Sequence, residues 1–187
     1  MKKTFREIVL QIIPVMIGVY LGFVVSDWAD ARKREGQTRL FLESLRSEIA
    51  SNRDVLEMVQ EYHLMLRDSS QAYAAGKIKG KPRFFEGTRI MKLTSSAYQT
   101  GIQTGIINEL PLGKIQAVNS LYTFQNEYNE FGTLMMASLI DKDFSDDPED
   151  IRKIAQFLAV TMTDVVIKET DLLQGYGSLL EELDASP

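Results

Sequence analysis

The 187-residue chain has no cysteine, which excludes a disulfide framework, a thiolate zinc site, a cysteine nucleophile and iron–sulfur ligation. It has one histidine, so a multi-histidine metal centre is excluded as well. Positive charge is in deficit: 21 Lys and Arg stand against 26 Asp and Glu, a formal charge of −5. Such a balance lacks the basic footprint that nucleic-acid affinity requires, and no nucleic-acid partner is expected. Signatures of reaction chemistry are missing too. Gly101-Ile102-Gln103-Thr104-Gly105 is not a phosphate loop, since no lysine follows it and no strand precedes it. No nucleophile elbow is present, and any serine–histidine–acid arrangement would depend on His63. The reading is a non-enzyme with no catalytic, cofactor-binding or metal-ligating residues and no cofactor.

A mean hydropathy of −0.13 hides one local segment. Ile8 to Val25 reads IVLQIIPVMIGVYLGFVV, 18 consecutive residues without a charge. At 1.5 Å per residue that nearly crosses a hydrocarbon core, and Ser26 and the flanks complete the span. Lys2, Lys3, Arg6 and Glu7 bound it on one side, with Asp27, Asp30 and Arg32-Lys33-Arg34 on the other. Trp28 falls where an interface anchor belongs. Ala29-Asp30-Ala31 has the spacing of a signal-peptide cleavage site, but the apolar stretch is longer than a secretory h-region and the segment after it carries two aspartates. A retained transmembrane helix within residues 1–28 is the expectation, followed by an extramembrane helical domain over 29–187.

The span is patterned. At about 100° per residue, Gln11, Pro14, Gly18 and Gly22 share an arc of roughly 80°. Membrane helices associate through small residues and polar contacts, because lipid is as apolar as leucine. Gly18 and Gly22 form a GxxxG match, and Pro14 frees the carbonyl of Leu10 for a neighbour to satisfy. This face predicts a partner helix. A basic stretch before the first apolar segment predicts an N-terminus in the cytoplasm of a bacterium and a domain across the inner membrane, in the periplasm.

Beyond Val25 the chain is more acidic than the whole, because three cations and only one acid precede that point. Leu42, Leu45, Ile49, Asn52, Leu56, Val59, His63 and Leu66 recur at alternating spacings of 3 and 4, a heptad seam on a helix from near Gln37 to near Tyr73 that is free to continue from the span. Asn52 and His63 are its polar positions. A seam asparagine fixes register or pairs with a polar neighbour, and His63 has no acidic or nucleophilic partner identifiable from spacing. After the glycine, lysine and proline signals of 76–83, a short helix is expected from about Glu86 to Tyr98, a connection over Thr100 to Gly113, a helix over Lys114 to Asp141, and a last helix after Asp147-Pro148, where the aspartate suits an N-cap and the proline the first turn. Val118, Leu121, Tyr128, Phe131, Met135 and Leu139 line the third helix, and Ile151, Ile154, Leu158, Val165, Leu172, Tyr176, Leu179 and Leu183 the last. Tyr122, Phe124, Tyr128 and Phe131 at helical spacing read as core. The fold class is all-α: one N-terminal transmembrane helix followed by a helical bundle.

Two charged loops remain. Residues 141–150 hold six acids and begin like a calcium loop, but Asp146 stands where that loop needs glycine and Arg152 where it needs its final glutamate, so a solvated turn and helix cap is expected. Lys77, Lys79, Lys81 and Arg83, with Phe84 and Phe85 behind them, read either as a solvated loop whose phenylalanines cap the core or as a contact for an acidic partner or lipid headgroups.

The span ending in Trp28, the charged stretch after it and Leu42-Glu43-Ser44-Leu45-Arg46-Ser47-Glu48-Ile49-Ala50-Ser51-Asn52 resemble a family of small bacterial single-span membrane proteins of unknown function. Ala97-Tyr98, Gly105-Ile106-Ile107 and Leu121-Tyr122 are similar to a second, looser stretch of it. The resemblance implies a membrane-anchored helical domain and brings no catalytic residues. The functional expectation is an accessory or structural subunit of a multi-subunit membrane complex, with other membrane subunits and the bilayer as partners. The alternative is a membrane-anchored homodimeric sensor of a ligand, although seven residues before the span leave no room for an output domain.

Overall fold

The computed structural model describes residues 2–79, 82, 85–142 and 144–184, with side chains from residue 10 onward except residue 11. Four α-helices occur among them: α1 (Lys2–Ala74), α2 (Ser96–Thr104), α3 (Leu112–Ile140) and α4 (Pro148–Asp184), with a 3-10 turn at Ile106–Glu109 before α3. No strand occurs among the described residues, as expected of an all-α chain. Two compact units divide within α1, the first ending at Phe41 and the second beginning at Leu42.

In the first unit the helix is continuous, with Pro14 inside it. The described side chains of its apolar part, Leu10 and residues 12–25, are all exposed. By length and composition it can cross a membrane: an 18-residue window has mean hydropathy 1.8 and none of it is buried. The core helix of a soluble protein would instead hide such residues.

In the second unit the heptad reading of α1 holds from Leu45 onward, whereas Leu42 is only half-buried. Leu45, Ile49, Asn52, Leu56, Val59, His63 and Leu66 are all buried, against Val118, Leu121, Tyr128, Met135 and Leu139 of α3 and Leu158, Met162, Val165, Leu172, Tyr176, Leu179 and Leu183 of α4 among the core residues. Each fully buried leucine or valine contributes about 1.5–3 kcal/mol relative to exposure. Gly175 of α4 admits Leu121 of α3, whose Cδ1 would lie 2.9 Å from an added Cβ.

The helix ends follow local rules. Gly76 adopts φ 72°, its N–H donates to Tyr73 O at 2.9 Å and that of Lys77 to Ala72 O at 3.0 Å, the two bonds of a Schellman stop. At the start of α4, Asp147 Oδ1 accepts from the N–H of Glu149 at 2.7 Å, with Pro148 in the first helical position. The expected cap and turn therefore form.

One element differs from expectation. The helix anticipated over 86–98 is absent: 87–95 is a non-helical strap, and α2 spans Ser96–Thr104 within what was expected to be connection. Gly87 at φ 86° and Arg89 at φ 53° are incompatible with helix, and the strap's backbone is bonded to side chains of other helices. Gly105, left-handed at φ 74°, ends α2.

Candidate functional site

The exposed face of α1 is the first candidate. Pro14 lies on it, and a Cβ built at Gly18 or Gly22 would meet nothing within 4 Å. These small positions are thus open to close approach by another helix. The side chain of Gln11 lies outside the described residues. Trp28 is 62% exposed, and the Arg32 guanidinium sits 5.4 Å from its ring centroid.

The basic loop is only partly described. Lys77 and Lys79 are exposed, whereas Lys81, Arg83 and Phe84 lie outside the described residues. Phe85 is half-buried and, with Pro82, Phe144, Ile151, Ile154 and Leu158, lines an apolar pocket of about 220 Å³. Of the four aromatics on α3, Tyr122 and Tyr128 are core, Phe131 is half-buried, and Phe124 faces outward beneath Lys168, whose Nζ lies 5.4 Å from the ring. In the acidic loop, Asp150 accepts from Ser145 Oγ at 2.7 Å and Lys153 at 3.2 Å. These bonds, Ser145 first, hold its carboxyl below the usual range. No group of three or more acid, histidine or cysteine side chains that could hold a metal occurs among the described residues.

The densest polar chemistry is inside the bundle, along the strap. Asn52 on α1 donates to the carbonyl of Thr94 at 2.8 Å and accepts from its N–H at 2.9 Å. Asn129 on α3 does the same for Leu93, donating at 3.0 Å and accepting at 2.9 Å. Two side-chain amides from two helices thus replace the neighbouring strands that an extended segment ordinarily needs. Gln125 joins them, donating to Thr94 O at 2.7 Å and accepting from Asn52 at 3.0 Å and Tyr176 at 2.6 Å. Glu48 caps α2 from outside that helix: its carboxylate accepts from the N–H of Ala97 at 2.8 Å and of Tyr98 at 3.3 Å, and from Tyr122 at 2.7 Å. Ser95 makes no side-chain cap bond, so α1 supplies the anion that the helix N-terminus favours. Gly132 leaves the space for strap residue Ile90, whose Cγ2 would lie 2.7 Å from an added Cβ.

At the other end of the strap, His63 has an acidic partner that spacing could not identify. Its Nδ1 lies 2.7 Å from Glu169 Oε1 on α4, and its Nε2 lies 2.8 Å from the carbonyl of Thr88. A carbonyl only accepts, so Nε2 carries a hydrogen. The Nδ1 to Oε1 contact then holds one further proton, and histidine and glutamate together are neutral whichever atom bears it. Tyr128 donates to the same carboxylate oxygen at 2.9 Å. Burial, then the charge and hydrogen bond of Glu169, push its phenol well above the ordinary range, so it remains a donor. Histidine, glutamate and tyrosine are the residue types of acid–base catalysis, but His63 and Glu169 are 0% exposed and Tyr128 1%. General acid–base chemistry needs a substrate atom within hydrogen-bond reach.

Glu169 carried a signal that the heptad reading of the sequence omitted. Leu158, Met162, Val165, Glu169, Leu172, Tyr176, Leu179 and Leu183 alternate at 4 and 3, which puts a carboxylate on a seam position of α4 opposite the polar seam of α1. Gln125 occupies the corresponding place on α3. No protein family, curated protein or solved structure matches this chain.

Proposed function

We propose that the protein is a non-catalytic accessory or structural subunit of a multi-subunit membrane complex. It docks through its transmembrane helix, and its bundle covers or braces partner subunits. The observation that carries this reading is the open face at Pro14, Gly18 and Gly22, on a helix apolar enough to span a bilayer. Close backbone approach at such positions is how helices associate in lipid. The sealed polar interior of the bundle supports it as well, since the acid–base side chains are spent on holding the fold together. Lys2, Lys3 and Arg6 ahead of the first apolar segment favour a bacterial inner membrane with the N-terminus in the cytoplasm and the bundle in the periplasm.

Purification in mild detergent followed by native mass spectrometry tests the reading. The expected result is a hetero-oligomer that dissociates on Gly18→Ile with Gly22→Ile. A free monomer overturns it, and a symmetric homodimer replaces it with the sensor alternative.

A further inference from the structure

We infer that the turn of α1 just beyond the apolar segment is a site for the phosphate headgroup of an anionic phospholipid, with Arg32 as its ligand. The inference rests on the membrane reading proposed above and adds to it a lipid chemistry.

The argument begins with depth. At 1.5 Å per residue, Trp28 lies about 4–5 Å beyond Val25 along the axis and the Arg32 backbone about 10 Å beyond. The headgroup layer on each side of a bilayer is only about 5–8 Å thick. Helical side chains lean toward the N-terminus, however, so a long one covers the turn before its own Cα. Arg32 does so: its guanidinium rests 5.4 Å from the centroid of the Trp28 ring, at the depth of the indole. An interfacial tryptophan sits at headgroup level, so the cation is at the level of lipid phosphate. Held over the ring, the guanidinium keeps its N–H groups for the paired bonds that phosphate accepts.

The second observation is that no carboxylate pairs with these cations. Asp27, Asp30 and Glu35 are near in sequence, yet among the described residues none of Arg32, Lys33 and Arg34 forms an ion pair. Helical geometry explains it for Arg32. Asp27 and Asp30 are about 140° and 160° around the axis from it, and Glu35 follows it in the less favourable order for a helical pair. Arg34 lies on the far side with the two aspartates and Lys33 is about 140° from Trp28, so of the three cations Arg32 alone, about 40° away, shares the Trp28 face. Arg32, Lys33 and Trp28 are all exposed.

Trp28 is the sole tryptophan of the chain and therefore a built-in probe. The full chain is reconstituted into vesicles of phosphatidylcholine and phosphatidylglycerol in which one lipid or the other is brominated near the carbonyl end of its acyl chains, and quenching of Trp28 is compared at equal mole fraction. Brominated phosphatidylglycerol is expected to quench more strongly, corresponding to local enrichment of up to about fivefold, the scale of one basic side chain at an anionic surface. Arg32→Gln should bring the two lipids close to equality, and Arg34→Gln should leave most of the preference. Equal quenching in the native chain overturns the headgroup site while leaving the span intact. An equal loss with Arg34→Gln overturns the assignment to Arg32 in favour of diffuse charge. Failure of both lipids to quench overturns the membrane reading itself.

Discussion

The His63–Glu169 pair gives the sharpest test of how the bundle is held. A plain heptad seam would gain from leucine at position 63, since a polar seam residue lowers stability. The contacts argue for the opposite sign. His63→Leu removes the N–H that Thr88 O accepts, at about 1–3 kcal/mol for a buried group left unpaired. It also strips Glu169 of the partner that makes the pair neutral, and breaking a buried ion pair from one side costs about 3–5 kcal/mol. Tyr128 would then be the remaining donor to Oε1, and Oε2 already has no hydrogen-bond partner. Burying the leucine returns about 1.5–3 kcal/mol. The net expectation is a loss of about 4 kcal/mol, a large share of the stability of an ordinary domain.

Removing both partners should cost less than the single changes suggest, because an apolar pair leaves no orphaned charge. The double variant His63→Leu with Glu169→Leu is expected to recover at least about 2 kcal/mol relative to the sum of the singles. Urea titration of the full chain in mild detergent, followed by far-ultraviolet circular dichroism, measures all four corners of the cycle. A His63→Leu variant as stable as the native chain, or a double variant with purely additive losses, would refute the reasoning.

Three further outcomes follow from the same contacts. Burial comes first in raising the phenols of Tyr122, Tyr128 and Tyr176, followed by the bond to Glu48, the charge of Glu169 and the charge of Glu48 respectively. The unfolded chain therefore loses these protons near pH 10 while the folded one keeps them, so stability is intact below about pH 10 and falls above it by about 1.4 kcal/mol per pH unit per tyrosine. Urea midpoints between about pH 10 and 11.5 measure the slope, and an unchanged slope in Tyr128→Phe would contradict it. Gly132→Ala should cost about 1–3 kcal/mol because its methyl meets Ile90 Cγ2, and Ile90→Ala should relieve most of that in a thermal melt; no relief would mean that the strap does not press there. Glu48→Ala removes the cap of α2 at a cost of about 1–2 kcal/mol, and hydrogen exchange should quicken first at the N–H groups of Ala97 and Tyr98; uniform quickening would count against a local cap.

The legible part of this fold is periodic. Leu45, Ile49, Leu56, Val59 and Leu66 announced a buried face through spacing alone, and Asp147-Pro148 announced the start of α4 through the chemistry of a helix N-terminus. Asn52 and His63 were visible as polar seam positions, but their partners were not, because Gln125 lies 73 residues from Asn52 and Glu169 lies 106 from His63. The strap was illegible for a different reason. A residue's hydrophobic period reports burial on a helix or a sheet face, whereas 87–95 is fixed by its backbone, and backbone bonds to Asn52, Asn129 and His63 leave no periodic trace. The glycine at 87 was the one local sign that helix would fail there.

The polar seam residues also specify how the strap lies. From Thr94 to Thr88 is six residues, at most about 20 Å if fully extended and less with Arg89 left-handed at φ 53°, and from Asn52 to His63 is eleven residues of helix, about 17 Å. The two distances are close enough for both ends of the strap to be bonded at once, and Glu48, one turn before Asn52, reaches Ala97 and Tyr98 where α2 begins. Glu48, Asn52 and His63 thus act in sequence along one helix on three successive points of an antiparallel segment. Moving any one of them by a single residue would turn its side chain about 100° away from the strap. An apolar seam of the same period would hold the helices together without setting that register. In this bundle the polar seam positions place the strap, and the apolar ones between them supply the burial that holds it there.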